Sequence, residues 1–282
     1  MQNPVVASLG LVSDTHFQDR LFDLPANLEN LWGEVDLILH AGDVGDLEVL
    51  DQIGRLAPVV AVHGNDEPDH VKRDLPYQPV IALHDWRILL WHSHYPDPVE
   101  EKARRPGVWG PKLARIADRG REVNARVVVY GHTHVPLISR HHDVWLINPG
   151  ALASGNYFTR QAIRSVGKLQ LLADGEMEVT HYDVDSDRAR VFAAAQLEED
   201  FDVLARQYQD WIVEPELIPV IGALRKIVYE DIRAVAQTIV PLYKRCLSDG
   251  LMRRGDLIGT ITASDQITPN DKRSILTALG ER

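Results

Sequence analysis

The first 185 residues alternate short apolar runs with amphipathic segments, which is the pattern of an α/β protein. Continuous apolar runs such as 5–12 and 35–39 predict strands that are buried on both faces. The runs 80–83 and 87–91 are separated by a short polar turn and predict a hairpin, and the same pattern recurs near residue 140. Alternating strands and helices followed by antiparallel pairs predict an α/β fold, a two-sheet mixed β-sandwich flanked by helices.

The hydrophobic period changes after Asp183 from strand-like to helical spacing. Residues 188 to 250 carry apolar side chains at helical spacing, and the sequence Thr-Pro-Asn-Asp at 268–271 is a start signal for a last helix. We therefore divide the chain into a first domain, residues 1–185, and an α-helical C-terminal extension, residues 186–282. The apolar positions of the extension could cover a sheet edge or mediate homo-oligomer formation, and docking within the chain is the commoner outcome.

Composition and charge restrict the classes of function without identifying one. The chain of 282 residues has a net charge of -11, which argues against broad electrostatic binding to duplex nucleic acid or to an anionic membrane surface. Its single cysteine, Cys246, excludes an internal disulfide and suits a reducing compartment. The sequence has neither an apolar run of membrane-spanning length nor a signal-peptide pattern, so we expect a cytoplasmic protein.

Polar side chains follow five of the predicted strands at the point where each strand ends. The segments are Asp14-Thr15-His16, Gly42-Asp43, Gly64-Asn65-Asp66, His92-Ser93-His94 and Gly131-His132-Thr133-His134. One such pair is weak evidence, because buried and capping histidines are common in proteins. Five segments in chain order indicate a shared site, since ligand sites of α/β sheets form at the carboxyl ends of the strands. The neighbouring glycines allow close backbone approach.

The same five segments resemble the metal-binding motifs of the calcineurin-like metallophosphoesterases. The segment Asn148-Pro149-Gly150 is similar to a turn of that family's small bacterial and archaeal phosphodiesterase branch. The resemblance covers about residues 5 to 185 and implies the metallophosphoesterase fold for that part. It also implies two divalent metal ions as cofactors, with manganese favoured and iron, zinc or nickel as alternatives. The ligands that it implies are Asp14, His16 and His134 for one ion, Asn65, His92 and His132 for the other, and Asp43 as the bridge.

The resemblance implies hydrolysis of a phosphoester P–O bond by a hydroxide that bridges the two ions. The predicted catalytic residues are Asp43, His132 and Asp66. Asp66 stands where many family members carry a histidine that acts as general acid, and an aspartate, with a reference pKa of about 3.9, is a poor acid at neutral pH. We therefore predict a phosphodiesterase. A phosphomonoesterase or nucleotidase, and a metal-binding scaffold for protein interaction, are the alternatives.

The segment between residues 96 and 126 is locally basic in a chain that is acidic overall. One interpretation is a substrate lid, in which Arg105 binds a phosphate and Trp109 stacks on a base. The other is a solvated helix with a loop whose tryptophan packs into the core. Asn65 and His94 are further predicted substrate contacts. The expected ligand is a small phosphoester, with a nucleotide as one candidate, rather than a membrane or a nucleic acid duplex.

The remaining histidines have more ordinary interpretations. His40 could orient Asp43 from the preceding strand, or it could be a buried, hydrogen-bonded histidine. The histidines that we expect at the surface are His84, His141, His142 and His181.

Overall fold

The structure is a computed structural model, and it describes residues 3–104, 109–153, 164–185, 188–190, 195–196, 217 and 253–281. Most of the predicted C-terminal extension therefore lies outside the described residues, and so does Arg105. The chain divides into two compact units, Met1–Ser154 with Arg164–Leu204 and Gly155–Ile163 with Ala205–Arg282. No helix in the described part is long and apolar enough to cross a membrane.

The described residues of the first unit alternate between strands and helices, as the apolar pattern predicted. In chain order these are β1 (Val5–Val12), α1 (Leu28–Trp32), β2 (Leu37–His40), α2 (Glu48–Ile53), β3 (Val59–Ala61), α3 (Asp69–Asp74), β4 (Val80–Leu83), β5 (Trp86–Trp91), α4 (Pro98–Arg104), α5 (Trp109–Glu122), β6 (Val127–Tyr130), β7 (Leu137–His141), β8 (Val144–Asn148), β9 (Ser165–Leu172), β10 (Met177–Asp183), β11 (Arg188–Arg190) and β12 (Ala195–Gln196). The described part of the second unit contains α6 (Arg254–Ala263) and α7 (Pro269–Ala278).

The strands form two six-stranded sheets, and the predicted mixed sandwich is confirmed. The first sheet has the order β11-β10-β9-β1-β2-β3, in which β1, β2 and β3 are parallel and β9 is antiparallel to β1. The second has the order β12-β7-β8-β6-β5-β4, in which β5, β6 and β8 are parallel. The predicted hairpins are β4–β5 and β7–β8. In each sheet the parallel strands therefore present their carboxyl ends at one edge.

The central strands are continuous apolar runs because both of their faces are covered. All four residues of β6 are buried, and so are the last four residues of β1. Trp32 of α1 is 1% exposed and packs against Gly10 of β1, while its Nε1 donates to the carbonyl of Gly167 in β9 at 2.8 Å. The buried indole thus connects α1 to two neighbouring strands with its polar hydrogen satisfied.

Residues 188–190 and 195–196 are strands, although the spacing of apolar residues predicted a helix from residue 188 onward. Strand β11 pairs with β10 in antiparallel orientation, and β12 pairs with β7 in parallel orientation. Each strand adds to a sheet edge, where its backbone hydrogen-bonds to the N–H and C=O groups of the neighbouring strand. Over so few residues, this pairing is a stronger influence than the helical spacing of apolar side chains. The start of the last helix is confirmed, because Thr268 caps α7 by accepting the N–H of Asp271 at 3.2 Å.

His84 and His142 are exposed as predicted, but His181 is fully buried in β10, so its predicted surface position is wrong. Strand β10 is paired on both sides, with β9 and with β11, and His181 lies on its covered face. Its Nε2 donates to the carbonyl of Asn148 at 2.8 Å. Burial lowers the pKa of His181 to about 4, because the imidazolium would lose its hydration.

The buried histidine predicts a pH dependence of stability. The pKa of His181 is about 4 in the folded protein against 6.5 as the reference value, so its contribution is fully present above pH 6.5 and is lost as the pH falls toward 4. The full loss corresponds to about 3 kcal/mol of unfolding free energy. The variant His181→Gln does not titrate at this position. We expect the difference in unfolding free energy between wild type and variant, measured in urea, to shrink from pH 7 to pH 5; a constant difference would contradict this account.

Candidate metal centre

The loops that follow β1 and β2 run side by side at the carboxyl ends of the two strands. The N–H of Asp14 donates to the carbonyl of Gly42, and the N–H of His16 donates to the carbonyl of Asp43, both at 2.9 Å. From the second sheet, the N–H of His132 donates to Asp14 Oδ2 at 3.1 Å. These bonds bring ligand motifs of both sheets to one place.

Five of the predicted ligands have left-handed backbone conformations. Their φ angles are 53° for Asp14, 41° for His16, 51° for Asp43, 71° for His132 and 58° for His134. A positive φ is uncommon outside glycine, and each instance costs on the order of 1–3 kcal/mol that the surrounding structure must offset. Such strain concentrates at functional sites. The recurrence of such strain at these strand ends therefore indicates a functional site. This evidence comes from the backbone and is independent of which side chains the residues carry.

Asp14, His16 and His134 form one convergent group, with potential ligand atoms within 4.8 Å of one another. Asp14 is fully buried, and its Oδ1 lies 3.0 Å from His134 Nε2. The other oxygen, Oδ2, accepts from Ser13 Oγ at 2.5 Å and from the N–H of His132. The carboxylate is thus fixed through one oxygen and presents the other to the imidazole. This group is the set that the family resemblance implies for one ion.

Asp43 lies between histidines that the family resemblance implies for different ions. Its Oδ2 is 3.6 Å from His16 Nε2 and 3.2 Å from His92 Nε2. Its Oδ1 accepts the N–H of Asp66 at 3.0 Å. Asp14, Asp43 and His92 also form a second convergent group. The arrangement leaves Asp43 Oδ2 as the oxygen that both neighbouring histidines can share.

His92 is oriented by its other ring nitrogen. Its Nδ1 donates to the carbonyl of Ala41 at 2.7 Å, so Nε2 faces Asp43 and Asp14. Burial acts to lower the pKa of His92, but the charges of Asp43 and Asp14 raise it to about 10. Burial acts to raise the pKa of the two carboxyls, yet neighbouring histidines hold the pKa of both well below the usual range. A proton or a metal ion at Nε2 would balance the same buried negative charge.

His40 supports the loop of Asp43 from below and is both buried and hydrogen-bonded. Its Nδ1 accepts the N–H of Gly42 at 3.3 Å, and its Nε2 donates to Thr15 Oγ1 at 2.9 Å. The Thr15 hydroxyl in turn donates to the carbonyl of Val44 at 2.7 Å. Burial lowers the pKa of His40 to about 4, which keeps the ring neutral for this pattern of bonds. The interpretation of His40 as a buried, hydrogen-bonded histidine is confirmed, and its role in orienting Asp43 stays a prediction.

Asn65 and Asp66 lie after β3 at the rim of the site. Asn65 Nδ2 donates to Asp66 Oδ1 at 2.7 Å. The Asp66 carboxylate converges with His16 and Asp43, with ligand atoms within 4.8 Å of one another. Arg20 Nη2 is 3.5 Å from Asp66 Oδ2, and Arg20 Nη1 is 3.3 Å from His16 Nε2. Arg20 therefore adds a positive charge at the rim, and sequence analysis did not single it out.

His132 and His94 border the site on the side of His92. The ring centres of His132 and His92 are 5.1 Å apart, and those of His94 and His92 are 5.5 Å apart. His132 Nε2 contacts Glu101 Oε1 at 2.9 Å. Among the described histidine and acidic side chains, His132 belongs to no convergent group of three. Glu101 was not identified from the sequence either, because it lies on a helix between two motifs.

Glu67 joins two ligand loops through their backbones. Its carboxylate accepts the N–H of Val44 and the N–H of Gly64, both at 2.6 Å. Burial, together with the charge of Asp43, raises the pKa of Glu67 to about 7. The sequence does not show that Glu67 links these loops, because both of its hydrogen-bond partners are backbone N–H groups.

The predicted substrate lid is described only in part. Arg105 lies outside the described residues, and Trp109 begins α5 with its side chain likewise outside them. Arg115 is a basic residue of α5 that the structure brings close to the site. Its guanidinium lies 4.6 Å from the ring centre of Trp91 and donates to the carbonyl of Ser93, next to a predicted ligand. Sequence spacing could not separate Arg115 from the other basic residues of this segment.

Two glycines let the ligand loops approach more closely than side chains would permit. A Cβ on Gly64 would lie 2.1 Å from Asp43 Oδ1 and 2.6 Å from His92 Cδ2. A Cβ on Gly131 would lie 2.0 Å from Ser13 Oγ. Such distances are far below van der Waals contact, so both positions require glycine. The close approach expected at the motif glycines is therefore present at these two.

The donor set fits a divalent metal centre. Within the described part of the chain, Asn65 Oδ1 and His134 Nδ1 are buried side-chain atoms of predicted ligands without a hydrogen-bond partner. Asp14 Oδ1 and His92 Nε2 are buried as well, and each lies close to another predicted ligand without a well-aligned hydrogen bond. Buried polar atoms without partners are rare because they lose hydration without compensation. Carboxylate, amide and imidazole donors without thiolate suit manganese, iron or zinc. The residues can therefore hold divalent ions at the carboxyl ends of these strands.

Comparison with known proteins identifies relatives of the first part of the chain. A family model described as the calcineurin-like phosphoesterase superfamily domain matches residues 8–167. A probable metallophosphoesterase of Methanocaldococcus jannaschii is 37% identical over 143 residues, which cover 51% of this chain and 67% of that protein. A phosphodiesterase of the same organism is 28% identical over 155 residues, which cover 50% of this chain and 82% of that protein.

A solved structure shares the fold. Vps29 from Entamoeba histolytica, crystallised as a single mutant, has a TM-score of 0.53 and 23% identity, and the match covers 66% of this chain and 99% of that chain. This likeness concerns the fold alone. The family match is broader evidence, because it spans more than half of the chain and includes every predicted ligand from Asp14 to His134. The chain therefore belongs to the calcineurin-like phosphoesterase superfamily.

Proposed function

We propose that the protein is a metal-dependent phosphodiesterase with a dinuclear centre. The observation that carries the proposal is the position of Asp43, whose Oδ2 lies 3.6 Å from His16 Nε2 and 3.2 Å from His92 Nε2. One carboxylate oxygen between the imidazoles of two ligand groups suits a bridging ligand. Membership of the superfamily supports a phosphoester as the bond that is hydrolysed.

The proposed ligands divide between two ions. They are Asp14, His16 and His134 for one ion, Asn65, His92 and His132 for the other, and Asp43 for both. When bound, two such ions lower the pKa of a bound water and neutralise charge on the phosphoryl oxygens. We favour manganese, with iron, zinc or nickel as alternatives, because the donors are oxygen and imidazole.

The protein's own groups orient the two carboxylates before any substrate arrives. Ser13 and His132 fix Asp14 through Oδ2. The N–H of Asp66 fixes Asp43 through Oδ1. Each carboxylate therefore presents one defined oxygen to the centre, and no reorganisation is needed when charge develops on the substrate. Asp43, His132 and Asp66 are the proposed catalytic residues.

A diester, rather than a monoester with a poor leaving group, is the proposed substrate class. Asp66 occupies the general-acid position, and its carboxylate lies 3.5 Å from Arg20 Nη2. An aspartate is a poor proton donor at neutral pH, so a leaving group that needs little protonation is favoured. The proposed substrate contacts are Asn65, His94, Arg105 and Trp109.

Partners and location are proposed from the sequence. A small phosphoester is the expected ligand, and a nucleotide is one candidate for it. A cytoplasmic location and homo-oligomer formation through the C-terminal extension are further proposals of the same kind.

Metal content measured together with diester turnover tests the proposed function. We expect about two metal ions per chain by elemental analysis, as a dinuclear centre requires. With added manganese, bis-p-nitrophenyl phosphate should be hydrolysed faster than p-nitrophenyl phosphate. A chelator should remove both the metal and the activity, and manganese should restore both. A chain that binds no metal and hydrolyses neither compound with any divalent ion would contradict the proposal and favour a scaffold.

A further inference from the structure

We propose that Glu101 is a positioning residue that fixes the imidazole of His132 for metal binding. Glu101 belongs to α4, in the connection between β5 and β6, and none of the strand-end motifs includes it. The inference rests on the proposed function, because it takes His132 as a metal ligand. The inference adds Glu101 as a side chain that acts on the proposed metal centre through His132.

Both carboxylate oxygens of Glu101 have a defined partner. Oε1 lies 2.9 Å from His132 Nε2, and Oε2 accepts the N–H of Tyr95 at 3.0 Å. The backbone N–H of Glu101 donates to the carbonyl of Asp97 at 2.8 Å. Glu101 is only 7% exposed, and a buried carboxylate is stable only when hydrogen-bond donors replace its hydration. The side chain is therefore held in one orientation, with Oε1 toward His132.

The contact determines which nitrogen of His132 can bind a metal. A carboxylate oxygen accepts, so Nε2 carries the hydrogen and the lone pair of the neutral ring is at Nδ1. Metal-bound histidines usually donate their other ring N–H to a carboxylate, a carbonyl or a water. The backbone of His132 is fixed separately, because its N–H donates to Asp14 Oδ2 at 3.1 Å. The backbone N–H and the Nε2 atom of His132 are thus both held by hydrogen bonds, and Nδ1 is the ring nitrogen that can bind a metal ion.

His92 has the same arrangement with the two nitrogens exchanged. Its Nδ1 donates to the carbonyl of Ala41 at 2.7 Å, and its Nε2 faces Asp43 at 3.2 Å. A backbone carbonyl at a strand end therefore orients His92, whereas a carboxylate from a helix orients His132. The α4 segment is linked in this way to the ion position that His132 would help to hold.

The experiment compares Glu101→Ala and Glu101→Gln with a matched control, Glu100→Gln. Glu100 precedes Glu101 on α4, and its carboxylate is 46% exposed and 3.7 Å from Arg104 Nε. The control therefore removes one negative charge from the same helix without touching the centre. Glutamine at 101 keeps an acceptor oxygen and alanine does not. Manganese binding to the metal-free full chain is measured by isothermal titration calorimetry.

We expect Glu101→Ala to weaken one of the two manganese-binding steps about 10–100-fold, with the other step unchanged. Glu101→Gln should lose less affinity than Glu101→Ala, and Glu100→Gln should bind as wild type does. Unchanged affinity in both Glu101 variants, or equal losses in both, would overturn the proposal. If circular dichroism shows that Glu101→Ala does not fold, Glu101→Gln against Glu100→Gln decides, and equal affinities in those two would overturn it.

A second measurement separates this inference from the proposed function. Long-range ¹H–¹⁵N spectra of the metal-free protein report which ring nitrogen of His132 carries the hydrogen. We expect Nε2 in wild type and in Glu100→Gln, and a mixture of both tautomers in Glu101→Ala. A wild-type chain that binds neither manganese nor any other divalent ion would overturn the proposed function, and this inference with it. A chain that binds two ions with the hydrogen of His132 on Nδ1 would overturn this inference alone.

Discussion

Replacing Asp43 with asparagine is expected to reduce kcat/KM for bis-p-nitrophenyl phosphate by about 10²–10³-fold or more. Asparagine keeps the shape of the side chain but removes the charge on Oδ2, the atom that lies between His16 and His92. Bound metal should fall as well, because both proposed ion positions share this oxygen. Steady-state kinetics and elemental analysis of the same preparation measure the two effects together.

The same substitution should also destabilise the protein in the absence of metal. The charge of Asp43 is the main reason that the pKa of His92 is raised against the effect of burial. Removing one partner of a buried ion pair costs about 3–5 kcal/mol, less whatever is recovered when the remaining group becomes neutral. Asp51→Asn, on the exposed face of α2, removes the same charge and should change neither activity nor stability. Wild-type metal content and turnover in Asp43→Asn would contradict the bridging role.

Adding one methyl group at Gly64 is expected to be almost as damaging as removing a ligand. The Cβ would lie 2.1 Å from Asp43 Oδ1 and 2.7 Å from the backbone nitrogen of Asp43, so the loop after β3 must move away from the loop after β2. That movement also breaks the bridge that Glu67 makes between these loops. We expect Gly64→Ala to lose about 1–3 kcal/mol of stability, as in other overpacked sites. A ligand displaced by about 1 Å should lower turnover by about 10²-fold.

The matched control is Gly259→Ala in α6. Among the described residues, nothing lies within 4 Å of a Cβ at Gly259, and the position is interior to the helix. Alanine is favoured over glycine in a helix interior by about 1 kcal/mol, so this variant should keep its activity and unfold at the same or a higher temperature. Thermal unfolding and diester turnover of the two variants are compared. Wild-type turnover in Gly64→Ala would show that the loops can separate without disturbing the centre.

The location of the site was predictable because its chemistry follows buried strands. Strands β1, β2, β3, β5 and β6 are apolar runs, and each is followed directly or after one or a few residues by a ligand motif. Parallel strands of one sheet end at the same edge, so the order of strand and motif along the chain groups the motifs after β1, β2 and β3, and separately those after β5 and β6. Contacts such as that of His132 with Asp14 then join the two groups. The hairpins β4–β5 and β7–β8 were predictable for a similar local reason, because a short polar turn separates two apolar runs.

The contacts between the motifs were not predictable from the sequence. The local pattern of apolar and polar residues predicts helices and strands, but it does not show how far apart two distant segments lie in the fold. Glu101 and His132 are 31 positions apart in the sequence. The sequence of the helix that carries Glu101 does not show that this helix packs toward His132. The hydrogen bonds of Glu67 in the described part of the chain go to backbone N–H groups, which have no side-chain identity to detect. His181 was predicted at the surface because it was expected near the end of a strand, but in β10 it belongs to the face whose side chains are buried. Sequence periodicity reports one element at a time.

The ligands that we propose for the metal centre come from both sheets, and this restricts the order of events when the chain folds. The contact between Asp14 and His132 joins residues 118 positions apart, and it requires β1 and β6 to be in place first. Contacts between such distant segments form slowly, because a long loop must close before they stabilise anything. Ions that bind only the assembled chain then shift the folding equilibrium by mass action. Metal uptake would therefore be a late step of biosynthesis, and it would stabilise those chains in which the two sheets have already assembled.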